Sequence, residues 1–70
     1  MNNDWNDAGI KPIKAKVYET LHARFEEPTF QYFDGFRWCA LANSIENAEV
    51  SFKRKNYSHF QNIQWREVQS

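Results

Sequence analysis

Thr29-Phe30-Gln31-Tyr32-Phe33-Asp34-Gly35-Phe36-Arg37-Trp38-Cys39-Ala40 is the stretch on which the fold turns. Two runs of β-favouring residues meet at Asp34-Gly35, a dipeptide suited to the positive φ angles of a two-residue type I′ turn. The expected register sets Phe33 opposite Phe36, Tyr32 opposite Arg37, Gln31 opposite Trp38 and Phe30 opposite Cys39. Side chains alternate along a strand. One face of this hairpin then carries Phe33, Phe36, Trp38 and Ala40, and the other carries Phe30, Tyr32, Arg37 and Cys39. Trp38 is expected in the core, beneath the helix.

Upstream, Ile13 to Phe25 alternates with period two, which argues for a half-buried strand. Ile13, Ala15, Val17, Leu21, Ala23 and Phe25 form the apolar, odd-numbered face, interrupted by Glu19. Lys14, Lys16, Tyr18, Thr20, His22 and Arg24 form the polar or amphipathic face. A helix competes, because Tyr18, Leu21 and Phe25 also fall at helical spacing. Val17, Tyr18 and Thr20 together favour the strand. Glu26-Glu27-Pro28 reads as a turn, since proline cannot donate to a ladder.

Downstream, Asn43-Ser44-Ile45-Glu46 has the form of a capping box, with Asn43 able to cap and Glu46 three residues on. Ile45, Ala48 and Phe52 share a helical face. Acidic residues lie near the start of this segment and Lys53, Arg54 and Lys55 near its end, as the helix dipole prefers. Residues 48–53 also alternate, so a strand competes here too. After a loop at 56–59, Phe60 to Val68 reads as a last strand, with Ile63 and Trp65 on one face and Gln64 and Arg66 on the other. The sum is an α+β fold of order β-β-β-α-β: about four antiparallel strands with one short helix on one face.

The chain has 70 residues, room for one domain. Residues 1–12 are polar apart from Trp5 and Ile10, and are expected to be a flexible N-terminal tail; Trp5 is then either idle or a clasp onto the sheet. Residues 13–70 form the domain. So small a domain buries roughly 60% of its unfolded surface and is marginal without reinforcement. The single cysteine, Cys39, excludes an internal disulfide and a multi-cysteine zinc site. Twelve aromatics must therefore supply the core's bulk, with self-association as a second remedy. Nine basic residues balance nine acidic ones, which argues against a globally basic nucleic-acid binder. No apolar run approaches the ~18 residues of a membrane span. Met1-Asn2-Asn3-Asp4 lacks the basic-then-apolar pattern of an export signal, and with the lone cysteine this points to a reducing cytoplasm.

Catalysis is not expected. Cys39 with His22 or His59 and Asp34 could be written as a triad, but nothing in their spacing brings them together, and Cys39 reads as a small apolar filler. Two lone histidines make no metal site, and two glycines make no phosphate loop. No cofactor is expected. If the odd face of the first strand meets the helix, the opposite sheet face carries Lys14, Lys16, Tyr18, Phe30, Tyr32, Arg37, Gln64 and Arg66. That aromatic-basic surface has the chemistry of a protein interface. It equally suits weak single-strand nucleic-acid binding, where bases stack on rings and cations meet phosphates.

Lys16-Val17-Tyr18-Glu19, Tyr32-Phe33-Asp34-Gly35-Phe36-Arg37-Trp38, a Ser44-led segment and Gln61-Asn62-Ile63-Gln64-Trp65-Arg66 together resemble a group of small uncharacterised phage and prophage proteins. That group shares the pattern Val-Tyr, aromatic-Asp-Gly-x-x-Trp and Gln-x-x-x-Trp-Arg-Gly, and the likeness runs from about Lys14 to Arg66. Glu67 stands where the group often has glycine, so the terminal turn differs. The resemblance implies a small cytoplasmic protein of a bacterial host's phage or prophage, and carries over no chemistry. The functional expectation is a non-enzymatic accessory protein acting as a protein-interaction module on a host factor. The alternative is a weak single-stranded nucleic-acid binder.

Overall fold

The computed structural model describes residues 5–22 and 24–68. The order is β1 (Lys16–Leu21), β2 (Thr29–Phe33), α1 (Ile45–Lys53) and β3 (Gln64–Arg66). The fold is α+β: a three-stranded antiparallel sheet in the order β2-β1-β3 with one helix. β1 pairs Tyr18 with Gln31 and Val17 with Tyr32 on one side, and Glu19 with Arg66 and Thr20 with Trp65 on the other. The expected first and last strands are longer than the regular ones found, 13–25 against β1 and 60–68 against β3.

The hairpin forms, but with a different turn. Phe33 lies opposite Trp38, not Phe36, so four residues, 34–37, make the connection. A type I′ turn needs positive φ at both central residues; only Gly35 has it, at +102°. Asp34 takes over instead. Its Oδ1 accepts the backbone N–H of Phe36 at 2.8 Å and of Arg37 at 2.7 Å, an Asx-type turn closed by Asp34 N–H to the Arg37 carbonyl at 3.1 Å. Phe36 is thrown to the tip, 87% exposed, rather than into the core.

The expected third strand, 36–40, is present only as isolated bridges. Phe33 meets Trp38, but three residues back Phe30 meets Ala42, four residues on from Trp38. One extra residue on the returning segment is a β-bulge, which interrupts the ladder. The Cys39 carbonyl is taken up there by the buried Gln31 side chain, Nε2 to O at 2.7 Å. Gln31 Oε1 accepts in turn from Thr20 Oγ1 at 2.8 Å, and the Thr20 and Thr29 hydroxyls lie 3.0 Å apart. Thr20 and Gln31 are fully buried, and this chain of bonds satisfies their polar atoms.

The core lies on the face of Tyr18, with Phe33, Trp38, Ile63 and Trp65. Tyr18 meets Trp65 and Trp38 edge-on, with ring centroids 5.0 and 6.0 Å apart. The helix covers the other face, where Tyr32 stacks on Phe52 at 4.0 Å and Ala48 is fully buried. Trp38 is therefore core, with no exposed surface, but it lies across the sheet from the helix rather than beneath it. In β1, Val17 is buried as expected, but so are Tyr18 and Thr20 on the face expected to be polar or amphipathic. As the central strand, β1 is covered on both sides, so alternation carries little information, and Tyr18 joins the aromatic core. Ile13 and Phe25, expected inside, lie beyond the strand ends, 97% and 47% exposed.

Ser44, not Asn43, caps the helix: its Oγ accepts the Asn47 N–H at 3.1 Å, while Asn43 Oδ1 bonds the Asn47 side chain. The helix ends at Lys55, φ 57°, with Lys55 N–H to the Phe52 carbonyl and Asn56 N–H to the Ser51 carbonyl. This is a Schellman closure with lysine where glycine is usual.

Residues 5–12, expected to form a tail apart from the domain, pack on the sheet instead; residues 1–4 lie outside those described. Asn6 bridges Trp65, its N–H reaching the Trp65 carbonyl at 2.8 Å. Trp65 Nε1 donates to the Ile10 carbonyl at 2.5 Å, and Pro12 is buried. Trp5 lies under the Arg66 guanidinium, 4.2 Å from its ring centre, as a clasp. The arm covers the outer edge of β3, which would otherwise present unpaired backbone groups.

Candidate binding groove

The aromatic-basic face expected from alternation does not form as one surface. Tyr18 is in the core, 2% exposed, on one side of the sheet. Tyr32 is on the other side, stacked on the helix. Phe30 pairs with Glu19 and Ala42 and is half-buried. Arg66 sits between Trp5 and Glu19, with Nε 2.6 Å from the Glu19 carboxylate. Gln64 is half-buried opposite Leu21. Arg37 lies at the turn, its guanidinium 3.8 Å over the Tyr57 ring. Only Lys14, Lys16 and Tyr18 come together.

What they line, with residues not singled out from the sequence, is a groove of about 410 Å³ between the N-terminal arm and β1 and β3. Its floor is Tyr18 and Trp65, its apolar lip Ile10 and Ile13, and its rim Lys11, Lys14, Lys16 and Glu67. The signal for the lip was available: Ile10 and Ile13 are large apolar residues in a polar stretch, bracketing Lys11-Pro12. That the arm folds back was not available, because it depends on contacts from Asn6 and Ile10 to Trp65, more than fifty positions away.

Each rim cation is in a different state. The Lys11 ammonium is held by the Gln61 carbonyl at 2.6 Å. Lys16 pairs with Glu67 at 2.5 Å, and this hydrogen bond raises its pKa above the ordinary lysine value. Among the described residues the Lys14 ammonium has no ion-pair partner. The Tyr18 hydroxyl donates to the Lys14 carbonyl at 2.8 Å, and burial pushes its pKa up, so it stays a neutral donor. The site is thus apolar at its base and cationic at its edge, with three lysines against one glutamate.

No family model, curated protein or solved structure matches this chain.

Cys39, Asp34 and His22, three of the residues that could be written as a triad, each have a structural partner. Cys39 is fully buried and bridges Tyr57; burial pushes its thiol up to about 11, so it is protonated at neutral pH. Asp34 is committed to its turn, and His22 Nδ1 accepts the Arg24 N–H at 3.1 Å. Among the described residues no three histidines, cysteines or acids are grouped to hold a metal, and no helix is long and apolar enough to cross a membrane.

The other motif residues have structural tasks as well. Gln61 acts as an extra peptide group for Trp38: its Oε1 accepts the Trp38 N–H at 2.7 Å, and its Nε2 donates to the Trp38 and Ser58 carbonyls at 3.1 and 2.8 Å.

Proposed function

We propose that this protein is a non-enzymatic interaction module whose groove takes an acidic segment of a partner protein carrying an aromatic or aliphatic anchor. The carrying observation is the pairing of an apolar floor and lip, Tyr18, Trp65, Ile10 and Ile13, with a lysine rim. Ile13 is 97% exposed, an orientation that contributes nothing to the fold and leaves its whole surface to be covered. Apolar anchors seated in a pocket supply most binding energy, and rim charges supply orientation and encounter rate. The likeness of the Asp34-Gly35 and Trp65-Arg66 motifs to phage and prophage proteins gives this reading its setting: a cytoplasmic accessory protein that acts on a host factor.

A peptide library selected on the immobilised protein tests this. Enriched sequences should combine acidic residues with one aromatic or aliphatic residue, and should lose binding to the double variant Ile13→Asp, Lys14→Glu. Selected peptides that bind this variant as well as wild type would overturn the assignment.

Weak single-strand nucleic-acid binding has one cluster in its favour. Arg24 lies 5.7 Å from the Phe60 ring centre, and His22 packs between Phe60 and Phe25. Both phenylalanines are about half exposed, so they could stack a base. Glu26 and Glu27 next to Phe25 oppose a polyanion there, which is why the groove is preferred. Titration with short oligonucleotides at two salt concentrations decides it: shifts at Phe25 and Phe60 that vanish with salt support this second reading.

A further inference from the structure

We infer that Glu67 is an internal competitor for the groove, a carboxylate of this chain that occupies the Lys16 end of the rim and must yield it when a partner's carboxylate arrives. The inference rests on the groove reading above and adds how the site is regulated.

Glu67 lines the groove, and its Oε1 is bonded to the Lys16 ammonium. The rim therefore already holds a carboxylate. Both groups are open to solvent, the Lys16 side chain 45% exposed and that of Glu67 66% exposed, and the Lys16 ammonium also lies 5.3 Å over the Tyr18 ring. An exposed pair of this kind is screened by solvent and weak, so it can be exchanged. The contrast within the chain is informative. Arg66, the residue before Glu67, and Glu19 of β1 form a pair with side chains only 25% and 17% exposed and with Trp5 against the Arg66 guanidinium. That pair is built into the fold; the Lys16–Glu67 pair lies at the mouth of the groove. The Lys11 ammonium is already held by two backbone carbonyls. An incoming acid thus has Lys14 open and Lys16 only after Glu67 swings aside. The occupant this commits to is an acidic peptide segment with one apolar anchor, by charge complementarity to two lysines beside a tyrosine–tryptophan floor.

The test uses the full chain and two short acetylated, amidated peptides, one of glutamates and leucines around a central phenylalanine, and the same peptide with glutamines for glutamates. Binding is read from side-chain and amide shifts of Lys14, Lys16, Tyr18 and Trp65. The acidic peptide should bind wild type, and Glu67→Gln should tighten it about twofold to fivefold, the upper part of the exposed-pair range expressed as affinity. The neutral peptide should gain nothing from Glu67→Gln. Lys16→Gln should abolish the gain when combined with Glu67→Gln. Equal affinity of the acidic peptide for wild type and Glu67→Gln overturns the competitor role while leaving the groove reading in place. No shift at the groove with either peptide overturns both.

Discussion

Replacing Gln61 by alanine should cost this domain a large share of its stability, although Gln61 is only half-buried. Trp38 has no exposed surface, and its N–H points away from β2, because the Phe33–Trp38 pair is of the non-hydrogen-bonded kind. The Gln61 side chain is its acceptor. Truncation leaves a buried N–H unmade, at about 1–3 kcal/mol. It also removes the donor to the Ser58 carbonyl, a net loss of about 1 kcal/mol. The Trp38 carbonyl keeps the Ser58 N–H at 3.0 Å, so it adds little. The expected total is about 2–4 kcal/mol. For a domain of this size each kcal/mol moves the melting temperature by about 4–8 °C, so the melt should fall by more than about 8 °C. Gln61→Glu sharpens the test. Glutamate keeps an acceptor for Trp38 but presents charge to two carbonyl oxygens, which raises its folded-state pKa. Its deficit should be full at neutral pH and shrink as the pH falls through that raised value and the carboxyl gains a donor. A Gln61→Ala melt within a few degrees of wild type, or a Gln61→Glu deficit independent of pH, would refute the reasoning.

Three further outcomes are expected. Partial burial works against the charge on Asp34, but the amide hydrogens of Arg37 and Phe36, with the Tyr57 hydroxyl and the Arg37 charge, outweigh it and hold its carboxyl below the usual range. Its stabilisation is therefore present above the unfolded carboxylate pKa of about 3.9 and lost as pH falls through the lower folded value; Asp34→Asn should melt lower at pH 7 and converge with wild type in acid. Lys55→Gly should raise stability by up to about 1 kcal/mol in denaturant titration, since a left-handed φ costs an ordinary side chain about 1–2 kcal/mol and glycine gives part of this back in unfolded-state entropy. Removing residues 1–10 should lower the melting temperature and red-shift tryptophan emission, because Trp65 loses its Ile10 acceptor and the Asn6 bridge; an unchanged melt and spectrum would show that the arm contributes nothing to the domain.

Local chemistry was legible in the sequence wherever neighbours along the chain decide it. The hairpin around Asp34-Gly35, a capped segment beginning near Ser44, and Ile63 and Trp65 on one face of the last strand all follow from residues within a few positions of each other. Lys14, Lys16 and Tyr18 were singled out and do line the groove. What could not be read was which face each element turns inward. β1 is flanked by strands and covered on both sides, so period two could not distinguish a core face from a helix face, and Tyr18 joined Phe33, Trp38, Ile63 and Trp65. The Asp34 carboxylate, by bonding two amides, selected a four-residue turn over a two-residue one, and that shift of register displaced Phe36 outward and brought Trp38 beside Phe33. The arm's return to Trp65 and the seat of Glu67 on Lys16 span more than fifty residues. Pairings at that separation are chosen by which edge and which rim the packed sheet leaves open, so the groove exists only in the tertiary structure.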